Sequence, residues 1–352
     1  MCCSNLKMSI FISLTLLYNF WSCNVNKDPL SVNYKKPISF NKIAFLSNRD
    51  GTRCIYIMDK DGTNQTNLTP EFESVTGPLF SPIGDKIFFV WEDYINDLEI
   101  CSMDPNGDNK FYLTNNDYDD GISKISQDGS KMLYTIGTWP SLDICLMNTD
   151  GSNKKNLTNH PAWYSYLDMS NDGSKIVYNL NDWSQIDIYL MKIGGTHKTN
   201  LTSSSTLKEI APEFSPDGNN ILYISDKEEN WGLYTMNLTY KYERKLAAKL
   251  VGSQWFKYSP DGRKIVYTLE VNDAYDIFIM NADGTQKTNL TKSSYNEIDP
   301  SFTPDGSHIF FSSYDRDGND EIYIMDIDGN DIINLTNNPA RDIGPSAQPV
   351  FD

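Results

Sequence analysis

Two markers that recur in one register, and two chain ends that complete each other, predict an all-β fold: a seven-bladed β-propeller whose four-stranded blades form a ring closed by the C-terminal strand joining the first blade. The first marker is the leucine of an Asn-Leu-Thr-like triplet, at Leu68, Leu113, Leu157, Leu201, Leu246, Leu290 and Leu335. The second is the methionine of an Ile-Tyr-Ile-Met-Asp-like run, at Met58, Met103, Met147, Met191, Met236, Met280 and Met325. Both series step by 44 or 45 residues, and each methionine precedes its leucine by ten. Apolar residues at helical spacing are absent from this region, so the repeat reads as strands.

The chain has 352 residues. Residues 1–23 read as a signal peptide. Lys7 precedes an apolar run from Met8 to Phe20, too short for a membrane span and suited to an export signal. Ser22 fits the small position before a lipidated cysteine and Trp21 does not, which leaves Cys23 a candidate for lipidation beside simple cleavage. Cys54, Cys101 and Cys145 follow, an odd set without metal-ligand spacing that reads as buried small side chains. Residues 24–40 are expected to be a linker, and 41–352 the ring.

Within each unit the strands are set by turns. Ser259-Pro260-Asp261-Gly262 closes one strand and opens Lys264-Ile265-Val266-Tyr267; equivalent turns start at Ser81, Ser126, Ser170, Ser215 and Thr303. Asp-Gly between apolar runs marks a hairpin, because glycine accepts the positive φ the turn needs. A second run such as Ile322-Tyr323-Ile324-Met325 leads to another turn at Asp328-Gly329 and a short outer strand ending at Leu335. The first unit, from Lys42, lacks its opening strand. Gln348-Pro349-Val350-Phe351-Asp352 matches Asp299-Pro300-Ser301-Phe302-Thr303, so the C-terminus is expected to supply it. Closure of this kind removes the exposed sheet edges of an open array.

The Ser-Pro-Asp-Gly turn, the Ile-Tyr-x-Met-Asp run and the Asn-Leu-Thr triplet together resemble the repeat of TolB-type (WD40-like, PD40) β-propellers over nearly the whole mature chain. The resemblance implies the fold and a cell-envelope setting. It departs from TolB in two respects: TolB carries an α/β domain before its propeller, for which residues 24–40 leave no room, and its ring has six blades.

Charge narrows the function. Lys+Arg number 30 against Asp+Glu 47, a net charge of -17. Nucleic acid is excluded as a partner, since phosphate binding needs a basic footprint, and a membrane is reached only through a lipid anchor. The Asp-rich turns deliver glycine too early for a calcium loop. Asp315, Asp317, Asp320 and Glu321 are the best metal candidates, and Asp117, Asp119 and Asp120 form a second acidic cluster. No metal or other cofactor is called for. The Asn-Leu-Thr triplets at Asn67, Asn156, Asn200, Asn289 and Asn334 recur because the unit recurs. No Gly-x-Ser-x-Gly elbow is present. His160, His197 and His308 lie in different units, unlike the His-rich metal site of the related oligogalacturonate lyases.

The aromatic residues carry the functional expectation. Trp91, Trp139, Trp183 and Trp231 fall between second and third strands, and Trp163 and Trp255 fall in or beside the connections between units. Both classes of connection emerge on one face, opposite the Asp-Gly hairpins. Tyr275 and Tyr314 join them, with Glu92, Asp93, Asp182, Glu228 and Glu229 nearby. Rings there either bind a ligand or pack between blades. The expected function is a non-catalytic, monomeric, exported scaffold that binds a protein or peptide, preferably cationic, through this face. The alternative is a carbohydrate-binding or lyase-like propeller.

Overall fold

The computed structural model describes residues 37, 39–92, 97–159, 162–182, 185–203, 207–227, 231–248, 250, 256–314 and 318–351. They form 28 strands and no helix. The innermost strands are Asp342–Val350 for unit one, then Val75–Phe80, Asp119–Ile125, Trp163–Met169, Glu209–Phe214, Phe256–Tyr258 and Asn296–Phe302 for units two to seven. Three further antiparallel strands follow outward in each unit, as in Lys264–Val271, Ala274–Asn281 and Thr288–Asn289 of unit six.

Hydrogen bonding divides the strands into six sheets, five of four strands and one of eight. The large sheet joins units three and four through a single parallel pair, Leu142 with Trp163. The antiparallel ladders alone give seven groups of four. Seven clusters of buried apolar side chains fill the spaces between successive groups, including one that packs Phe310, Ile322 and Ile324 of unit seven on Ile43, Phe45 and Met58 of unit one.

Unit one is completed from the C-terminus, as the sequence leads one to expect, but the register differs by four residues. Ala347 sits opposite Ile43, the place Phe302 takes opposite Ile309. The matching segment is therefore Asp342–Ala347, not 348–352. The strands Asp342–Val350 and Val75–Phe80 kink after their second residue, and at the kink Gly344 and Gly77 hold positive φ values of 64° and 58°. With no Ser-Pro-Asp-Gly turn at the C-terminus, that bulge carries the register instead.

Two repeated hydrogen-bond devices explain the motifs. In the hairpin after the innermost strand, the Ser126 hydroxyl donates to Asp128 at 2.6 Å and accepts the Lys131 amide at 2.8 Å. Ser170, Ser215, Ser259 and Thr303 repeat it. The second device ties the Asn-Leu-Thr triplet to an acid at the start of the third strand. Asp276 accepts from the Asn289 amide at 2.7 Å and the Thr291 hydroxyl at 3.1 Å, while that hydroxyl accepts the Ile277 backbone at 3.0 Å. Asp143 and Asp187 repeat it. Unit five has Gly232 in place of the acid and Ala247 in place of the threonine. Its outer strand, Glu243–Ala248, is six residues long where the others have two. Lost side-chain bonds are replaced there by a longer ladder.

Along the axis the innermost strands are tied to each other. Ser346 accepts the Phe80 amide, Asp168 that of Phe214 and Glu213 that of Tyr258, at 2.8, 2.8 and 3.1 Å. Lys124 pairs with Asp168 at 3.0 Å and Lys257 with Glu213 at 3.2 Å, all four side chains buried.

Candidate functional site: a cleft on the connection face

Strand direction puts the Asp-Gly hairpins on one face and the remaining connections on the other. On the connection face, the seam of units six, seven and one opens into a cleft of about 560 Å³ lined by Tyr275, Asn296, Tyr314, Asn319, Asp320 and Arg341, among others. Tyr275 is the second residue of a third strand and Tyr314 ends a second one, so both rings stand near the edge where the sheet stops. Tyr314 is 47% exposed. Arg341 Nε donates to Asp320 across the cleft wall.

The expected aromatic set does not converge on one site. Tyr275 and Tyr314 share the cleft. Trp139 is 52% exposed on unit three. Trp91 packs edge-on against Phe72, with ring centroids 5.4 Å apart, and tilts on Tyr112 at the same distance. Trp231 packs against the core between units five and six. Trp163 is half-buried at the junction of units three and four, opposite Asn181. For Trp91 and Trp231, packing between blades is what the geometry shows. Trp183 and Trp255 lie outside the described residues. Sequence position put all these rings on one face but could not tell which would be drawn inward.

The acidic candidates are spoken for by the protein itself. Asp320 takes Arg341. Glu321 accepts the Thr336 hydroxyl, the Asn319 amide at 2.8 Å and the Asn338 backbone at 2.8 Å. Asp315 and Asp317 lie outside the described residues, as does Cys23. Among the described residues no group of three or more His, Cys, Asp or Glu side chains is placed to hold a metal. His197 and His308 sit at the hairpin ends of units four and seven, His160 is outside the described residues, and a His-rich metal centre does not fit this chain.

Burial shifts several carboxyl groups near the connection face. Asp342 is pushed up to about 6 by burial, against the pull of Ser47 and Arg49. Asp120 is pushed up to about 7 by burial and by the charge of Glu99, against hydrogen bonds from Asn116 and Thr114. Sequence reading had grouped Asp120 with its chain neighbours; the link to Glu99 is made by the fold.

With this geometry in hand, the chain can be set beside known proteins. Residues 242–350 match the family described as TolB beta propeller domain. These residues carry the TolB-type propeller repeat. No curated protein matches the chain. Among solved structures, TolB from Acinetobacter baumannii superposes with a TM-score of 0.55 at 18% identity, covering 89% of this chain and 68% of that one. Oligogalacturonate lyase from Vibrio parahaemolyticus gives 0.67 at 16%, covering 84% and 89%. A Mycobacterium tuberculosis puromycin-hydrolyzing peptidase gives 0.67 at 15%, covering 91% of this chain and 56% of its own. At these identities the likeness is one of fold. It nevertheless corrects the expectation that the chain is not an enzyme, because the TolB-like ring found here is also the ring of a lyase and of a peptidase.

No helix among the described residues is long and apolar enough to cross a membrane.

Proposed function

We propose that the protein is an exported binding propeller that takes a peptide or protein segment with cationic side chains into the cleft of units six, seven and one. In this reading residues 1–23 direct export, with Cys23 as a candidate lipid anchor, and a linker follows; the linker expected over 24–40 ends before Ser39, because Ser39 and Phe40 already belong to the first strand of the ring. The observation that carries it is the pairing of Tyr275 and Tyr314 with Asn296, Asn319 and Asp320 in one open cleft. Tyrosine rings supply contact area at low entropic cost, and they dominate binding energies elsewhere. Amide side chains both donate and accept, as a peptide backbone requires. Asp320 is paired with Arg341, and a cationic side chain entering the cleft would compete with Arg341 for that carboxylate. The net charge of -17 favours the same sign of partner.

A second reading is a carbohydrate ligand, bound or cleaved. The same two rings and amides suit a sugar's faces and hydroxyls. Lys- and Arg-containing peptides titrated by fluorescence anisotropy, beside a glycan array, separate the two. The double variant Tyr275→Ala, Tyr314→Ala is expected to weaken peptide binding at least about 10-fold with an unchanged melting temperature. Wild-type affinity in that variant would sink the cleft as the seat. Glycan binding lost in the same variant moves the reading to sugar, and release of shorter sugars would make it catalytic.

A further inference from the structure

At some of the seams between units the repeat brings two acids together. One sits at the start of a third strand and its partner at the start of the next innermost strand. Glu321 with Asp342 is such a pair, between units seven and one; Glu99 with Asp120 is its equivalent between units two and three.

The chain neutralises the first pair itself. Arg49 Nη2 donates to Asp342 Oδ2 at 2.7 Å, while Glu321 collects donors on both oxygens. Asp342 Oδ1 has no donor even so, but the guanidinium charge lies beside it. Between units four and five Lys227 lies 4.0 Å from Glu209 in the same role.

The seam of units two and three has the acids without a cation at the Arg49 position; the charge of Lys154 reaches Asp120, but from an exposed side chain. Asp342 faces Ser47, and Arg49 comes two residues later; Asp120 faces Ile136, and two residues later stands Thr138. Glu99 has also lost a repeat donor, because Tyr112 occupies the place of the triplet asparagine. The Thr114 hydroxyl accepts the Ile100 amide at 2.8 Å and acts on Asp120 as a neighbour that lowers its carboxyl. What remains is Asn116, whose backbone donates to Glu99 Oε1 at 2.6 Å and whose amide donates to Asp120 Oδ2 at 2.5 Å. Glu99 Oε2 and Asp120 Oδ1 are buried, on side chains 3% and 0% exposed, and have no hydrogen-bond donor among the described residues. At the mouth of the seam the charges of Asp97 and Glu92 bear on Asp119. A buried carboxylate pair left this way calls for a positive charge.

We propose that this seam seats a hard divalent cation, held by Glu99 Oε2 and Asp120 Oδ1, with Asn116 fixing both carboxylates from behind. The cation does for units two and three what Arg49 does for units seven and one. Both ligands are anionic oxygens, the donors of Ca²⁺ and Mg²⁺; with two carboxylates supplied by side chains, backbone carbonyls or water complete the shell. No third acid is needed for such a seat, and none converges there.

The test is calorimetric titration of the chelator-treated protein with CaCl₂ and, separately, MgCl₂ at pH 7.5, with melting curves alongside. One equivalent is expected to bind and to raise the melting temperature. Asp120→Asn and Glu99→Gln, both close in shape to the wild type, are expected to weaken binding at least about 10-fold, while Glu92→Gln at the mouth keeps it within a factor of about three. Terbium provides a readout independent of stability: Trp91 is paired opposite Glu99, so sensitised Tb³⁺ emission should appear in the wild type, vanish in Glu99→Gln and be displaced by the bound cation. The proposal is overturned if neither cation titrates into the wild type, or if Asp120→Asn binds as tightly. A wild type stabilised only by acid, with no cation response, would make the occupant a proton and overturn it equally.

Discussion

The hairpin face and the connection face are made by the same repeat, yet they differ in kind. On the hairpin face a serine or threonine, an aspartate and a glycine recur with the same bonds from unit to unit. The connection face has a repeated underlayer, the acid that holds the Asn-Leu-Thr triplet, but above it each unit differs. Unit seven offers Tyr314, unit three an exposed Trp139 and unit two a Trp91 packed against Phe72. A ring needs one face to be regular; the other is then available for variation. Function in this molecule is to be sought where the repeat is broken.

Four substitutions probe that contrast. The largest effect is expected at Asp120, beneath the connection face. Its carboxyl is raised to about 7 in the folded protein, by burial and by Glu99, with Lys154, Tyr134 and Cys145 also in electrostatic reach. A raised carboxyl means that the folded state holds the proton longer than the unfolded chain. In chelator, stability should therefore be highest below pH 4 at this group and fall as pH rises to about 7, by up to about 4 kcal/mol at about 1.4 kcal/mol per unit. Urea melts from pH 4 to 8 measure the slope, and Asp120→Asn should flatten it. A slope of the same size in the variant would place the effect elsewhere.

Next comes Asp276→Ala, which strips the acceptor from Asn289, Thr291 and the Ser293 backbone. A loss of about 3 kcal/mol is expected in urea unfolding. Ser126→Ala on the hairpin face removes one donor and one acceptor and should cost about 1 kcal/mol. Tyr314→Ala should change stability by no more than about 0.5 kcal/mol, because the ring is half in solvent. If Tyr314→Ala were as costly as Asp276→Ala, the division between a structural underlayer and free tips would fail.

Much of the fold was legible because a repeat states each element seven times. Leu68 through Leu335 gave the period, and the Ser-Pro-Asp-Gly turns gave the hairpins. The C-terminal register was misread by four residues because that strand has no such turn to anchor it, and Gly344 shifts the pairing where only backbone angles show it. The aromatic face was legible as a face but not as a site. Trp91 and Trp231 stand at strand ends, where one turn of the side chain decides between solvent and the neighbouring blade. The acid pair of Glu99 and Asp120 was out of reach for another reason: its members come from different strands, and the exceptions at Tyr112 and Thr138 gain meaning only once the fold brings the two acids together.

The sharing of unit one between the two ends of the chain sets the order in which the molecule can be finished. Arg49 and Asp342 are 293 positions apart in sequence, yet belong to one ion pair. While the chain is being made, Ser39–Ser47 waits with one edge open until Asp342–Val350 arrives. Such long-range closure is slow, and the open edge is a template for wrong pairing in the meantime. The cell that makes this protein therefore has to protect its earliest strands until its latest ones have been synthesised.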